Sequence, residues 1–468
     1  MAKTYKIPGT YIQETPKLLP TVPQVDSSIP IFIGYTENAS DGDIPLPAEI
    51  IDEVQIIHAK RIKSLLEYEF HFGKSILPIN VLVSENNATP NSQLEEYNIR
   101  VSAPLPPTLH NHMRMYFANG GGPCYVVSVG IAPTTIVTKN LLAGLKMAAR
   151  YDEPSLIVIP QVNLLPSVTD SGTIYVAALQ QAADLKDRFV LLDCYDDDPE
   201  NMRSQIGNIN LQYGAVYHPY LKVPYGGLYN TDDRAYNIVI HKTASNGVRS
   251  ESNVQLSDLP NNLQILINAE IGKQFVTLPP CSTIAGVYVR NDNNRGVWKA
   301  PANVSLNSVA GLTKRITDDE QSNLNVDVTY GKSINVIRPF TGKGILVWGS
   351  RTLAGNDNEW RYVPVRRFIT MIEESTKKAI APFVFEPNDN TTWVKLKAML
   401  ENFLINLWRQ GAMQGAKPEQ AFYVRIGLHQ TMTNLDIAEG RLIIEMGIAA
   451  VRPAEFIVLK FSQRMKPN

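Results

Sequence analysis

Residues 155–160, SLIVIP, and 189–197, FVLLDCYDD, bracket the stretch 173–188, TIYVAALQQAADLKDR. Short apolar runs of this kind read as strands buried on both faces, whereas the stretch between them has the three-four spacing of a helix. Upstream, NLLAGLKMAARYDEP (140–154) predicts another helix, and downstream QYGAVYHPYLKV (212–223) predicts a third strand. Strands that alternate with helices predict a mostly parallel sheet held between helical layers. The expected fold class for the middle of the chain is therefore α/β.

Working outward, IPIFIGYTE (29–37) reads as a buried strand with Ile29, Ile31 and Ile33 alternating, and HAKRIKSLLEYEFHFG (58–73) as a helix stopped by Gly73. LHNHMRMYFANGGGPCYVVSVG (109–130) predicts a helix, a glycine turn and a strand. The pattern loosens over 225–275, which reads as an exposed insertion. After Trp360 the chain becomes a compact α+β mixture: strand RYVPVRR (361–367), helices 368–385 and 391–412, then strands 421–427, 441–451 and 454–465. The expected division is an extended arm at 1–24, a central α/β domain at 25–345, an α+β domain at 346–451 and a terminal strand at 452–468.

The chain has 468 residues, with 44 Lys+Arg against 45 Asp+Glu, which argues against a nucleic-acid-binding polycation. Three distant cysteines, Cys124, Cys194 and Cys281, indicate neither a disulfide framework nor a zinc site. The start MAKTYKIPG lacks the apolar region of a signal peptide, and no run of about 18 apolar residues would span a membrane.

Catalytic readings fare poorly. His110 and His112 lack a partner at metal spacing, and DCYDDDPE (193–200) lacks calcium-loop spacing, so ordinary surface or packing histidines and a solvated loop capping the next helix are expected instead. GGGP (120–123) and TGKG (341–344) do not continue into phosphate-loop motifs and read as tight turns. No catalytic residue, metal or cofactor is expected.

The two ends are unusual. YKIPGTYIQE (5–14) is strand-like but broken by Pro8, which suits a sheet edge. In AEFIVLKFSQRM (454–465) both faces are apolar, so the strand needs cover on each. These ends either pack on their own subunit or are lent to another; AFYVRIG and RLIIEMG offer a sheet for them, and an open edge invites polymerisation.

Together with IPIFIGYTE, EYEFHFG, YFANGGGPCYVVSVG, AGVYVRNDNNRGVWKAPAN, INVIRPFTGKGILVWGSRTL, YVPVRRF, WVKLKAMLENFLINLWRQGAMQG and VRPAEFIVLKFSQ, the opening arm resembles successive motifs of the contractile tail sheath family. That family includes sheaths of contractile bacteriophages, phage-tail-like bacteriocins and extracellular contractile injection systems, and the compact layout is most similar to the last. The resemblance implies a subtilisin-like α/β domain and an α+β domain whose terminal strands are exchanged between subunits, with Tyr5, Ile7, Tyr11 and Ile12 in one arm and Phe456, Val458, Leu459 and Phe461 in the other. It also implies stacked hexameric rings around an inner tube that shorten to drive the tube through an envelope. Implied partners are further copies of itself, paralogous sheath proteins, the inner tube protein, and baseplate and terminal cap proteins, with no direct nucleic-acid contact and no membrane insertion. The particle would assemble in a bacterial cytoplasm and act after release. The alternatives are a non-contractile tail or baseplate protein and an α/β hydrolase. Asp193, His218 and Ser282 do occur in subtilisin order, but their flanking residues do not resemble the protease motifs.

Residues 391–468 hold ten Lys/Arg against six Asp/Glu. On the helix from Thr391, apolar Trp393, Leu396, Leu400, Phe403 and Leu407 form a stripe, and Lys395, Lys397 and Arg409 lie off it. Family sheaths are similar in turning such a helix toward an acidic tube, which makes these three the candidate tube-facing residues; a plain solvated face is the other reading.

Overall fold

The computed structural model describes residues 21–74, 79–85, 97–101, 108–131, 135–224, 236–243 and 249–456. The chain divides into two units, Val25–Glu373 with Val451–Asn468 and Glu374–Ala450 with Met1–Gln24.

In the larger unit β1 (Pro30–Thr36), β2 (Lys60–Ile62), α1 (Leu65–Phe72), β3 (Ile79–Glu85) and β4 (Tyr97–Val101) come first. Then follow α2 (Leu109–Ala118), β5 (Cys124–Ile131), α3 (Thr138–Ala148), β6 (Leu156–Val158), α4 (Val168–Leu185), β7 (Phe189–Asp193), α5 (Pro199–Gln205) and β8 (Gly214–His218). Next are β9 (Tyr236–Thr243), β10 (Arg249–Val254), α6 (Asn261–Gly272), α7 (Cys281–Arg295), β11 (Val304–Ser305), α8 (Asp318–Asn325), β12 (Asn335–Phe340) and β13 (Gly344–Val347). Helix α9 (Val363–Ile380) runs across the boundary, and the smaller unit adds α10 (Asn390–Arg409), β14 (Phe422–Arg425) and β15 (Glu445–Ile448).

Nine strands form the main sheet in the order β11-β13-β12-β8-β7-β6-β1-β5-β2. The run from β12 through β5 is parallel, with Pro30, Ile31 and Phe32 of β1 opposite Leu156, Ile157 and Val158 of β6. All seven residues of β1 are buried. Alternation splits its side chains between two cores: Ile31 and Ile33 pack with Leu141, Leu145, Ile174 and Leu179 of α3 and α4, and Phe32 packs with Leu109, Tyr116 and Ile284 of α2 and α7. A sheet covered on both faces is what the apolar runs demand.

The sequence reading differs from the structure at four places. In the stretch 193–200, expected as a solvated loop, Asp193 and Asp197 are buried and accept the backbone N–H groups of Cys281 and Tyr220. Residues 58–73 are not one helix: Lys60–Ile62 pairs with Cys124–Val126, and the helix begins only after Ser64, whose hydroxyl accepts from the Glu67 N–H. RYVPVRR is not a strand but leads into α9, with Pro364 in the first turn, where a missing N–H costs nothing. The loosely patterned 225–275 contains ordered elements: β9 pairs in parallel with β3, giving a four-stranded sheet β10-β9-β3-β4, and α6 buries Leu263, Ile267 and Ile271.

Helix α3 approaches β1 and β5 through Gly144, where an added Cβ would overlap Val129 and Ile33. Alanine gains about 1 kcal/mol of helix propensity, but overpacking costs about 1–3 kcal/mol. Gly144→Ala is therefore expected to lower the melting temperature by a few degrees, and a raised melting temperature would show that the contact is slack.

Candidate assembly interface

Both ends of the larger unit's described backbone are gripped by arginines from one stretch of chain. At the amino-terminal end, Ser27 donates its hydroxyl to Asp292 Oδ2 at 2.8 Å, and Arg367 donates to the Ser27 carbonyl at 2.7 Å. Arg367 also forks onto Asp292 at 2.6 and 3.2 Å and lies 4.5 Å over the Tyr288 ring. At the carboxyl-terminal end, Arg351 donates to Glu455 through Nε at 2.9 Å and Nη2 at 2.6 Å, while Asn325 and Tyr362 donate to the same carboxylate at 2.9 and 3.2 Å. Burial alone would raise the Glu455 carboxyl, but the hydrogen bonds from Arg351 and Asn325 hold it below the ordinary range. The stability this latch contributes is therefore present above the unfolded carboxylate pKa and is lost as pH falls through the lowered folded value.

In the smaller unit, β14 and β15 pair antiparallel, Phe422 opposite Ile448 and Arg425 opposite Glu445, and among the described residues the sheet has only these two strands. On its outer face the Tyr423 ring lies across Gly447, where any Cβ would collide, and its hydroxyl donates to Glu445 at 2.8 Å. Phe422 and Val424 are buried, but from Arg441 to Ala450 not one residue is, although Leu442, Ile443, Ile444, Met446 and Ile448 are apolar. This strand pair is under-covered.

Helix α10 is capped by Asp389, whose carboxylate accepts from the Thr392 N–H at 3.0 Å. It buries Leu396, Met399, Leu400, Phe403, Leu404 and Leu407. Trp393 is half-buried, its indole N–H on Asn388 Oδ1 at 2.7 Å. At ~100° and ~1.5 Å per residue, Lys395 and Arg409 lie on one flank, about 40° apart and about 21 Å along the axis. Both are exposed. Lys397 points about 200° away from Lys395 and sits 3.9 Å from Glu401. The helix thus brings two of the three candidates together and separates the third. Of the arm residues, Phe456 is 71% exposed; Tyr5, Ile7, Tyr11, Ile12, Val458, Leu459 and Phe461 lie outside the described residues.

The place where α/β enzymes bind ligands is the crevice where strand order reverses, here between β1 and β6. The turn Pro160–Leu164 occupies it, and Gln161 Oε1 accepts the Tyr35 N–H at 2.6 Å. Nor do Asp193, His218 and Ser282 form a relay. Asp193 accepts the Cys281 backbone N–H at 2.8 Å, and burial pushes its carboxyl up to about 7. His218 lies 2.9 Å from Asp197 instead, and the buried Ser282 hydroxyl stands 3.8 Å from Cys281 Sγ. His110 is buried against Glu69 at 3.0 Å, and His112 is fully buried, its pKa lowered to about 3 by desolvation. Among the described residues no group of three or more His, Cys, Asp or Glu is placed to hold a metal ion, and no helix is long and apolar enough to cross a membrane.

Residues 355–464 match the phage tail sheath C-terminal domain family. Over almost its whole length the chain is similar to a chain in the contracted helical sheath of the anti-feeding prophage, with 32% identity, a TM-score of 0.64 and coverage of 98% of this chain and 100% of that one. The chain belongs to the contractile tail sheath family. A chain of the contracted PVC sheath complex, an extracellular contractile injection system, is also similar, with 28% identity, a TM-score of 0.61 and 99% coverage of both chains. Among curated sheath proteins, that of Burkholderia phage BcepMu is 30% identical over 144 residues, which is 30% of each protein, and that of Vibrio phage KVP40 is 24% identical over 136 residues, 29% of this chain. These matches span only 20% to 30% of the phage proteins' length.

The sequence reading missed the Arg351–Glu455 and Arg367–Asp292 grips. Arg351→Ala strands a half-buried carboxylate, at a cost of about 3 kcal/mol. Chymotrypsin is expected to cut after Phe456, which is 71% exposed, at least tenfold faster in the dispersed variant; an unchanged rate would mean that Glu455 is held without Arg351.

Proposed function

We propose that the chain is a subunit of a contractile sheath, polymerising as stacked hexameric rings around an inner tube and shortening to drive that tube through a target envelope. The observation that carries this reading is the under-covered pair β14 and β15. A two-stranded sheet is marginal alone, and its free edges accept further strands by backbone pairing. The terminal segments, with Tyr5, Ile7, Tyr11 and Ile12 at one end and Phe456, Val458, Leu459 and Phe461 at the other, supply strands of the right character from neighbouring copies. Backbone pairing of this kind tolerates rotation of the bodies it connects, which is what a shortening lattice needs. The inner tube is met by the outer flank of α10, through Lys395 and Arg409, each contributing on the order of 1 kcal/mol or less. Lys397, turned away and beside Glu401, contributes less.

A baseplate-end position is the second reading. It is favoured by the likeness, at 32% identity and a TM-score of 0.63, to a chain in the sixfold-symmetrised anti-feeding prophage baseplate.

Negative-stain imaging of the purified full-length chain is expected to show rings or tubes, whereas a baseplate-end subunit would not elongate alone. Removing residues 1–15 should abolish long assemblies and leave a folded subunit; tubes of full length would end the exchanged-arm reading. With the tube protein present, Lys395→Glu with Arg409→Glu is expected to weaken co-assembly in a salt-dependent manner, and Lys397→Glu to have little effect. Equal losses from all three changes would point to net charge rather than to this flank.

A further inference from the structure

The loop after α8 ends in an apolar tip: Val328 is 96% exposed, Val326 46% and Tyr330 43%. Its base is rigid. The buried Asp327 carboxylate accepts the backbone N–H groups of Thr329, Tyr330 and Lys332 at 3.0, 3.1 and 3.4 Å and lies 3.4 Å from Arg203 Nε. The Asp327 carbonyl accepts from Asn356 at 3.1 Å. Lys332, buried in turn, donates to the carbonyl oxygens of Arg203, at 2.7 Å, and of Ile206. Several buried charges are thus committed to holding a loop whose Val328 side chain touches almost nothing, and apolar side chains kept this exposed on a fixed base mark an interaction site.

The tip stands beside Glu455 and Phe456, the last described residues of the chain. Asn325, the residue before the loop, donates to Glu455 at 2.9 Å, and the next residue, Phe456, is 71% exposed. We propose that Val326, Val328, Tyr330 and Phe456 form a contact surface for a second copy of this chain, with Val328 as its apolar anchor. The proposal rests on the sheath reading. A copy that pairs with residues beyond Phe456 is tethered to the rim of this surface by a few residues at roughly 3.3–3.6 Å each. The tether fixes which molecule is near enough to cover the tip.

Val328→Asp leaves the Asp327 base intact, so the dispersed subunit should keep its circular dichroism and melting temperature, while the concentration needed for tube formation rises at least tenfold. Val328→Ser, which removes apolar area without adding charge, should raise it about threefold. A benzoylphenylalanine photocrosslinker at position 328 should join copy to copy in assembled tubes and not in dispersed protein. Tubes of both variants at the wild-type concentration, or crosslinks only to a different protein, would overturn this contact and leave the sheath reading standing. A wild-type chain that forms no tubes would overturn both.

Discussion

A β-strand carries two rows of backbone donors and acceptors, and each row needs partners. The main sheet meets that demand internally. Seven of its nine strands are interior, and its edges are blunted by the two-residue β11 and the three-residue β2. The sheet of the smaller unit does not meet it among the described residues. The same chain therefore holds one sheet that is complete as a single molecule and one whose free edges and half-buried Met446 and Ile448 call for more chain than the described residues supply.

Much of the main sheet was legible because burial on both faces leaves an unmistakable pattern. SLIVIP, FVLLD and IPIFIGYT are apolar at every turn of the strand, and the helices between them carry their stripe at helical spacing. The α10 stripe was legible for the same reason: Leu396, Leu400, Phe403 and Leu407 are buried. The failures have local causes. In YVPVRRF the alternation of valines imitates a strand, but Pro364 fits a first helical turn, and Arg366 and Arg367 are satisfied only in three dimensions, Arg366 by stacking 4.3 Å over Trp360. Residues 225–275 look like a loop because their strand β9 completes its sheet with β3, more than a hundred residues earlier. The grips at Ser27 and Glu455 leave no local trace, since Arg351 and Glu455 are 104 positions apart and each alone reads as a surface charge.

At the strand ends, where α/β enzymes place their ligands, side chains of this chain join one element to another. Gln161 fills the crevice at the strand-order reversal, and Asp193 holds the start of α7 through the Cys281 N–H. The polar side chains at the strand ends act as struts between elements. Shared architecture is a statement about packing, and chemistry has to be argued from the site.

Arg351, Tyr362 and Arg367, which hold the two ends of the larger unit's described backbone, lie within one short stretch of sequence. Tension applied to either terminal segment would therefore reach the approach to α9 and its first turns. At the amino-terminal end the Ser27 grip lies three residues ahead of β1, so a pull there is shared between Arg367 and an interior strand of the parallel sheet.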